Sequence, residues 1–96
     1  MSLPVIWSAT ARSDYADLLK YVEKNYGIDA ALKILDKVEE LVEAIETFPQ
    51  GFPESKEKPN FRKAVITKQT SLIYRVSDLD VLLLYFWDNR REDIEI

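Results

Sequence analysis

Apolar positions recur at helical spacing through the first half of the chain and at strand spacing through the second. Pro4-Val5-Ile6-Trp7 is a short β-prone run that stops at Ser8, a residue suited to N-cap a helix because its hydroxyl accepts from an unpaired first-turn amide. Ala11, Tyr15, Leu18, Val22 and Tyr26 then follow at steps of three and four, while Asp14, Asp17, Lys20, Glu23 and Lys24 face away. Gly27 predicts the end of this helix and Asp29 the N-cap of the next. A second stripe, Ala31, Ile34, Leu35, Val38, Leu41, Val42 and Ile45, is closed by Pro49 and Gly51, so the two helices form an antiparallel hairpin.

Residues 48–60 hold three of the four prolines and read as a surface loop. Beyond it, Phe61–Lys68 alternates in part, Ser71–Ser77 alternates well, and Asp80–Trp87 is apolar on both faces. Turns fall at Lys68-Gln69-Thr70 and at Ser77–Asp80. Such short connections demand antiparallel neighbours. The predicted fold is therefore α+β, in the order β-α-α-β-β-β, with an antiparallel meander sheet packed against an N-terminal helix hairpin. Residues 1–96 are expected to form a single domain.

Simple alternation in the last strand sends Val81, Leu83, Tyr85 and Trp87 to one face and Leu82, Leu84 and Phe86 to the other. Two helices cover one face only. The second is expected to be closed either by the loop after Phe48 and the C-terminal tail, or by a partner.

Composition narrows the chemistry. The chain has no His and no Cys, which excludes thiol nucleophiles, His-based triads, disulfides and zinc, haem or iron–sulfur sites of ordinary type. No metal or cofactor is expected, and any catalysis falls to Arg, Lys, Tyr or carboxylates. The longest apolar run, Val81–Trp87, is far shorter than the ~20 residues of a membrane span, and a cytoplasmic location without membrane association is expected. Net charge is -4. It is unevenly placed: residues 1–50 carry five basic and nine acidic side chains, residues 51–96 eight of each. Within Lys56–Arg75, six cations are opposed only by Glu57. An acidic half is thus joined to a basic stretch that suits a polyanion or an acidic protein.

Taken in order, several features resemble the RelE/ParE superfamily of toxins, the plasmid stabilization protein-like components of type II toxin–antitoxin operons. They are Val5-Ile6-Trp7-Ser8 entering a helix, Ala11 through Leu18 and Tyr21, a second helix ending in Phe48-Pro49, Arg62 opening the first meander strand, Leu72-Ile73-Tyr74-Arg75-Val76, and the terminal Phe86-Trp87-Asp88-Asn89-Arg90-Arg91. The resemblance covers nearly the whole chain and implies a cognate antitoxin partner whose C-terminal segment wraps the toxin. It implies one of two targets. RelE-like members cut messenger RNA on the ribosome with Arg, Lys and sometimes Tyr; ParE-like members bind and poison DNA gyrase.

Three departures favour the gyrase branch. Ser71 stands where RelE-like enzymes carry a catalytic Arg, no Tyr or His follows the last strand, and the chain is acidic where ribosome-binding members are basic. Should the protein be a ribonuclease, Arg62, Arg75 and Arg90 are the catalytic candidates. For target or antitoxin binding the candidates are Lys56, Lys58, Arg62, Arg75, Arg90, Arg91 and Trp87. Alternation suggests that Arg75, opposite in facing to Leu72, Tyr74 and Val76, forms one positive patch with Arg62. The plainer alternative is that these cations are solvated cross-strand partners and the aromatics are packing residues. A homodimer is left open by the sequence, as is a non-toxic interaction module of the same fold.

Overall fold

A computed structural model describes residues 3–90. Strand β1 (Val5–Trp7) leads into helix α1 (Ala9–Tyr26) and helix α2 (Ile28–Thr47); a short 3-10 turn (Pro49–Gly51) and a loop then reach β2 (Phe61–Thr67), β3 (Thr70–Val76) and β4 (Val81–Asp88). The predicted order of elements is the observed one, and the helix hairpin covers one sheet face.

The sheet runs β1-β4-β3-β2. As predicted, β2, β3 and β4 form an antiparallel meander. The sheet as a whole is mixed, because β1 lies parallel to β4, with Val5, Ile6 and Trp7 beside Val81, Leu82 and Leu83. Turn length dictates direction only for strands that follow one another. Between β1 and β4 stand both helices and two strands, so nothing local constrains their pairing.

Ser8 shows how the first turn is locked. Its backbone N–H donates to the Leu83 carbonyl at 3.0 Å, its Oγ donates to the Leu84 carbonyl at 2.8 Å, and the same Oγ accepts from the Ala11 N–H at 2.9 Å. One residue thus ends β1, caps α1 and ties both to β4. It does so at an irregularity: Ile73 pairs with Tyr85 but Tyr74 pairs with Leu83, leaving Leu84 as an extra residue in β4. Such a bulge shifts the alternation by one. Val81, Leu83 and Phe86 consequently face the helices, while Leu82, Tyr85 and Trp87 share the far face with Ile73 and Ser71. This corrects the simple alternation, which had put Tyr85 and Trp87 with Leu83.

The core lies between hairpin and sheet: Ala11, Val38, Leu41 and Ile45 from the helices meet Ala64, Ile66, Leu72, Tyr74, Val81 and Leu83. At the hairpin corner Gly27 has φ 98°, a left-handed conformation that favours glycine; it ends α1 and also stands as the N-cap of α2. Asp29 therefore sits inside the first turn of α2, where its charge still opposes the positive helix end. Tyr26, which the periodicity assigned to the core stripe, is 67% exposed. It lies in the final turn of α1, outside the core cluster.

Candidate functional site

The candidate cations do not gather at one place. Arg62 pairs across the sheet with Tyr74, so its side chain lies on the helix side. There its Nη1 donates to the carbonyls of Phe52 at 2.7 Å and Gln50 at 3.3 Å, and its Nε is buried without a partner among the described residues. Tyr74 works on the same loop. Fully buried, it donates its hydroxyl to the Pro49 carbonyl at 2.6 Å, with the Phe52 ring edge-on at 6.2 Å. Burial pushes the Tyr74 phenol up to about 12, against the opposing pull of the Arg62 charge. Arg62 and Tyr74 together clamp the chain after α2. Residues 49–52 of that loop accordingly pack on the helix side and Glu54 bridges to Arg62 at the edge of β2, so this part of the loop does not close the second sheet face as expected; the C-terminal tail invoked with it lies outside the described residues.

Arg75 pairs with Phe61 and Leu82 and so points to the far face. The predicted joint patch with Arg62 is not formed: the two guanidinium groups leave opposite sides of the sheet, because neighbouring register positions alternate. Arg90 follows the other end of β4, where Asp88 pairs with Thr70, five residues along β3 from Arg75, or ~17 Å. Its Nε and Nη2 donate to the Asp88 carboxylate at 2.9 and 2.8 Å, which raises the pKa of Arg90 further. Lys56 and Lys58 are exposed in the loop, with the Lys58 Nζ 5.6 Å from the centre of the Phe61 ring. Arg91 lies outside the described residues.

Ser71, the position at which a catalytic Arg was sought, is fully buried. Its Oγ donates to Asn89 Oδ1 at 2.9 Å, and Asn89 Nδ2 in turn reaches the Lys68 carbonyl. The cross-strand neighbours of Ser71 are Val65 and Trp87. Trp87 packs beside Tyr85 on the far face, ring centres 6.2 Å apart.

A groove of about 590 Å³ opens where the hairpin meets the β2–β3 turn and the end of β4. Leu18, Val22, Ile34 and Phe86 supply its apolar lining, Trp87 of β4 borders it, and Asp14, Asp17, Lys33, Asp88 and Arg90 stand among its polar residues. Tyr21 and Tyr26, 53% and 67% exposed, also line it, with ring centres 6.4 Å apart. Asp14 also reaches into the sheet, its carboxylate accepting from the Phe86 N–H at 3.0 Å just past the bulge. Large apolar groups at a concave surface between elements are what a protein segment would bury. Of these residues only Trp87 and Arg90 were candidates from sequence. The available signal was that Leu18, Tyr21 and Val22 widen the apolar surface of α1 beyond what one packed stripe requires.

Among the described residues no group of three or more Asp and Glu is placed to hold a metal ion, and no helix is long and apolar enough to cross a membrane.

A family model described as the ParE toxin of the type II toxin–antitoxin system parDE matches residues 5–93. A comparison with curated proteins returned no match. Solved structures share the fold. The chromosomal ParDE system of P. aeruginosa contains a chain 20% identical, with a TM-score of 0.76 over 91% of this chain and 96% of that one. For the YoeB dimer of Staphylococcus aureus the values are 21%, 0.61, 88% and 94%. For the DinJ–YafQ toxin–antitoxin complex of E. coli they are 13%, 0.65, 94% and 96%. At these identities the likeness carries the fold, and the family match carries the membership: this chain belongs to the ParE toxin family of type II toxin–antitoxin systems.

Proposed function

We propose that this protein is a toxin that acts by binding, with DNA gyrase as its target when free and a cognate antitoxin as its inhibitor when bound. The observation that carries this reading is the dispersal of its cations. Phosphoryl transfer without a metal or histidine requires several positive groups around one phosphate, aimed at the charge that develops there. Here Arg62 is spent on loop carbonyls, Arg75 leaves the opposite face, Arg90 is paired to Asp88 at the far end of the sheet, and Ser71 is buried.

Binding needs no such convergence. The groove beside α1 offers an antitoxin segment apolar anchors rimmed by both signs of charge, and the far face with Arg75 and Trp87 offers a second surface for the target. The similarity to YoeB and YafQ chains as well as to a ParDE chain makes the ribosome-dependent ribonuclease the reading to be tested against this one.

Purified protein is expected to inhibit supercoiling of relaxed plasmid by gyrase and to lose that effect when the antitoxin is added. Translation-dependent cleavage of messages, abolished in an Arg90→Ala variant of unchanged stability, would overturn the proposal.

A further inference from the structure

A second, smaller cavity of about 300 Å³ lies between α1, α2 and β1, lined by Trp7, Tyr15, Val38, Glu39, Val42 and Glu43. Its wall is aromatic. The rings of Trp7 and Tyr15 stack with centres 5.4 Å apart, and Phe86 backs both, at 6.2 Å from Trp7 and 5.5 Å from Tyr15. Phe86 lines the larger groove, so this trio separates the two depressions.

The other wall is anionic. Glu39 and Glu43 stand one helical turn apart on the same face of α2, a spacing at which like charges repel. Neither carboxylate has an ion-pair partner among the described residues, and no Lys or Arg lines the cavity. The Tyr15 hydroxyl, likewise without a hydrogen-bond partner among the described residues, feels the carboxylates: its pKa is raised first by burial, then by Glu39 and Asp36. Helix α2 as a whole carries six acidic and two basic side chains. An apolar floor, aromatic rings and two unpaired carboxylates at the mouth match a group with an apolar stem and a cationic head, which is an arginine or lysine side chain.

We propose that this cavity receives a basic side chain of the antitoxin, most suitably an arginine, whose head lies between Glu39 and Glu43 and whose stem lies against Trp7 and Tyr15. The inference rests on the antitoxin reading above, and it assigns that partner a contact separate from the main groove. It relieves the Glu39–Glu43 repulsion and gives the complex a salt-sensitive component that the apolar groove does not supply.

Two measurements test it. In the first, the isotope-labelled toxin is titrated with N-acetyl-arginine amide and, separately, with its neutral isostere N-acetyl-citrulline amide. The Trp7 indole N–H signal is expected to move with the arginine compound alone, and not in a Glu39→Gln, Glu43→Gln double variant. No movement, or equal movement with both compounds, overturns the cavity as a cation site even where an antitoxin complex forms. In the second, calorimetry of the antitoxin with the same variant is expected to show affinity lower by roughly tenfold and a shallower salt dependence. A control Glu40→Gln, Glu46→Gln variant, altered on the same helix outside the cavity, is expected to bind as wild type. Equal affinity of the Glu39, Glu43 variant overturns the assignment to the antitoxin. Failure of the wild-type protein to bind the antitoxin at all would instead sink the toxin–antitoxin reading, and the first measurement then decides the cavity alone.

Discussion

At the scale of single residues, Arg62 and Tyr74 belong to the fold's scaffolding. Both reach back from the sheet to carbonyls of the loop after α2, groups that would otherwise be buried without donors. Because the fold raises the Tyr74 phenol from 10.0 to about 12, it favours the neutral form; that contribution is complete below pH 10 and is lost as pH climbs through about 12. Tyr74→Phe is expected to lower stability at neutral pH by about 1 kcal/mol or somewhat more, since the Pro49 carbonyl loses its donor. The urea midpoint of the wild type should fall more steeply than that of the variant as pH is raised from 10 to about 12, the range of the Tyr74 shift. Parallel pH profiles would count against the shift. Arg62→Met is expected to destabilise by ~1–3 kcal/mol in the same denaturation experiment. Wild-type stability in that variant would return Arg62 to the list of free functional cations.

At the scale of elements, two short junctions set the geometry. Ser8 joins strand, helix and bulge through three hydrogen bonds. Ser8→Ala removes the cap and leaves the Leu84 carbonyl without that donor, so a loss of ~1–3 kcal/mol in chemical denaturation is expected, above that of an ordinary cap. Gly27 serves two helices at once. A Cβ there meets nothing within 4 Å, so Gly27→Ala costs only the backbone strain of φ 98° with ψ 169°, a region open essentially to glycine alone, ~1–3 kcal/mol. A stabilising effect of that substitution would contradict the hairpin corner.

The bulge also shows where periodicity stops being informative. Alternation predicts facing only while each residue advances the pairing by one. Leu84 does not, and Tyr85, Phe86 and Trp87 all change sides as a result. Nothing in an unbroken apolar run such as Val81–Trp87 marks the extra residue. Its stabilisers, the Ser8 hydroxyl and the Asp14 carboxylate, are more than seventy positions away.

At the scale of the whole molecule, charge and apolar surface are segregated: acidity is concentrated on α2, and the aromatic trio at the junction of α1 with the sheet divides a large groove from a small anionic cavity. A partner that fills such depressions binds only the folded toxin and must stabilise it by mass action. With antitoxin at a hundredfold excess over its Kd, the gain is ~2.7 kcal/mol, which for a domain of this size raises the thermal midpoint by roughly 10–20 °C. A midpoint independent of antitoxin concentration would show that no such complex forms.

Much of this protein was determined locally. The strand–helix–helix–loop–meander order follows from apolar spacing, from Ser8 and Gly27 at the junctions, and from turns too short for anything but antiparallel neighbours. The absence of His and Cys restricted the chemistry before any fold was considered. Long-range pairing decided the rest. Whether β1 would lie parallel to β4, which way Tyr85 and Trp87 would face, and whether Arg62 and Arg75 would meet all depend on register between segments far apart in the chain. A register is selected by the packing of whole faces and by donors such as Ser8 and Asp14 arriving from elsewhere, and neither is written in the pattern of any one segment.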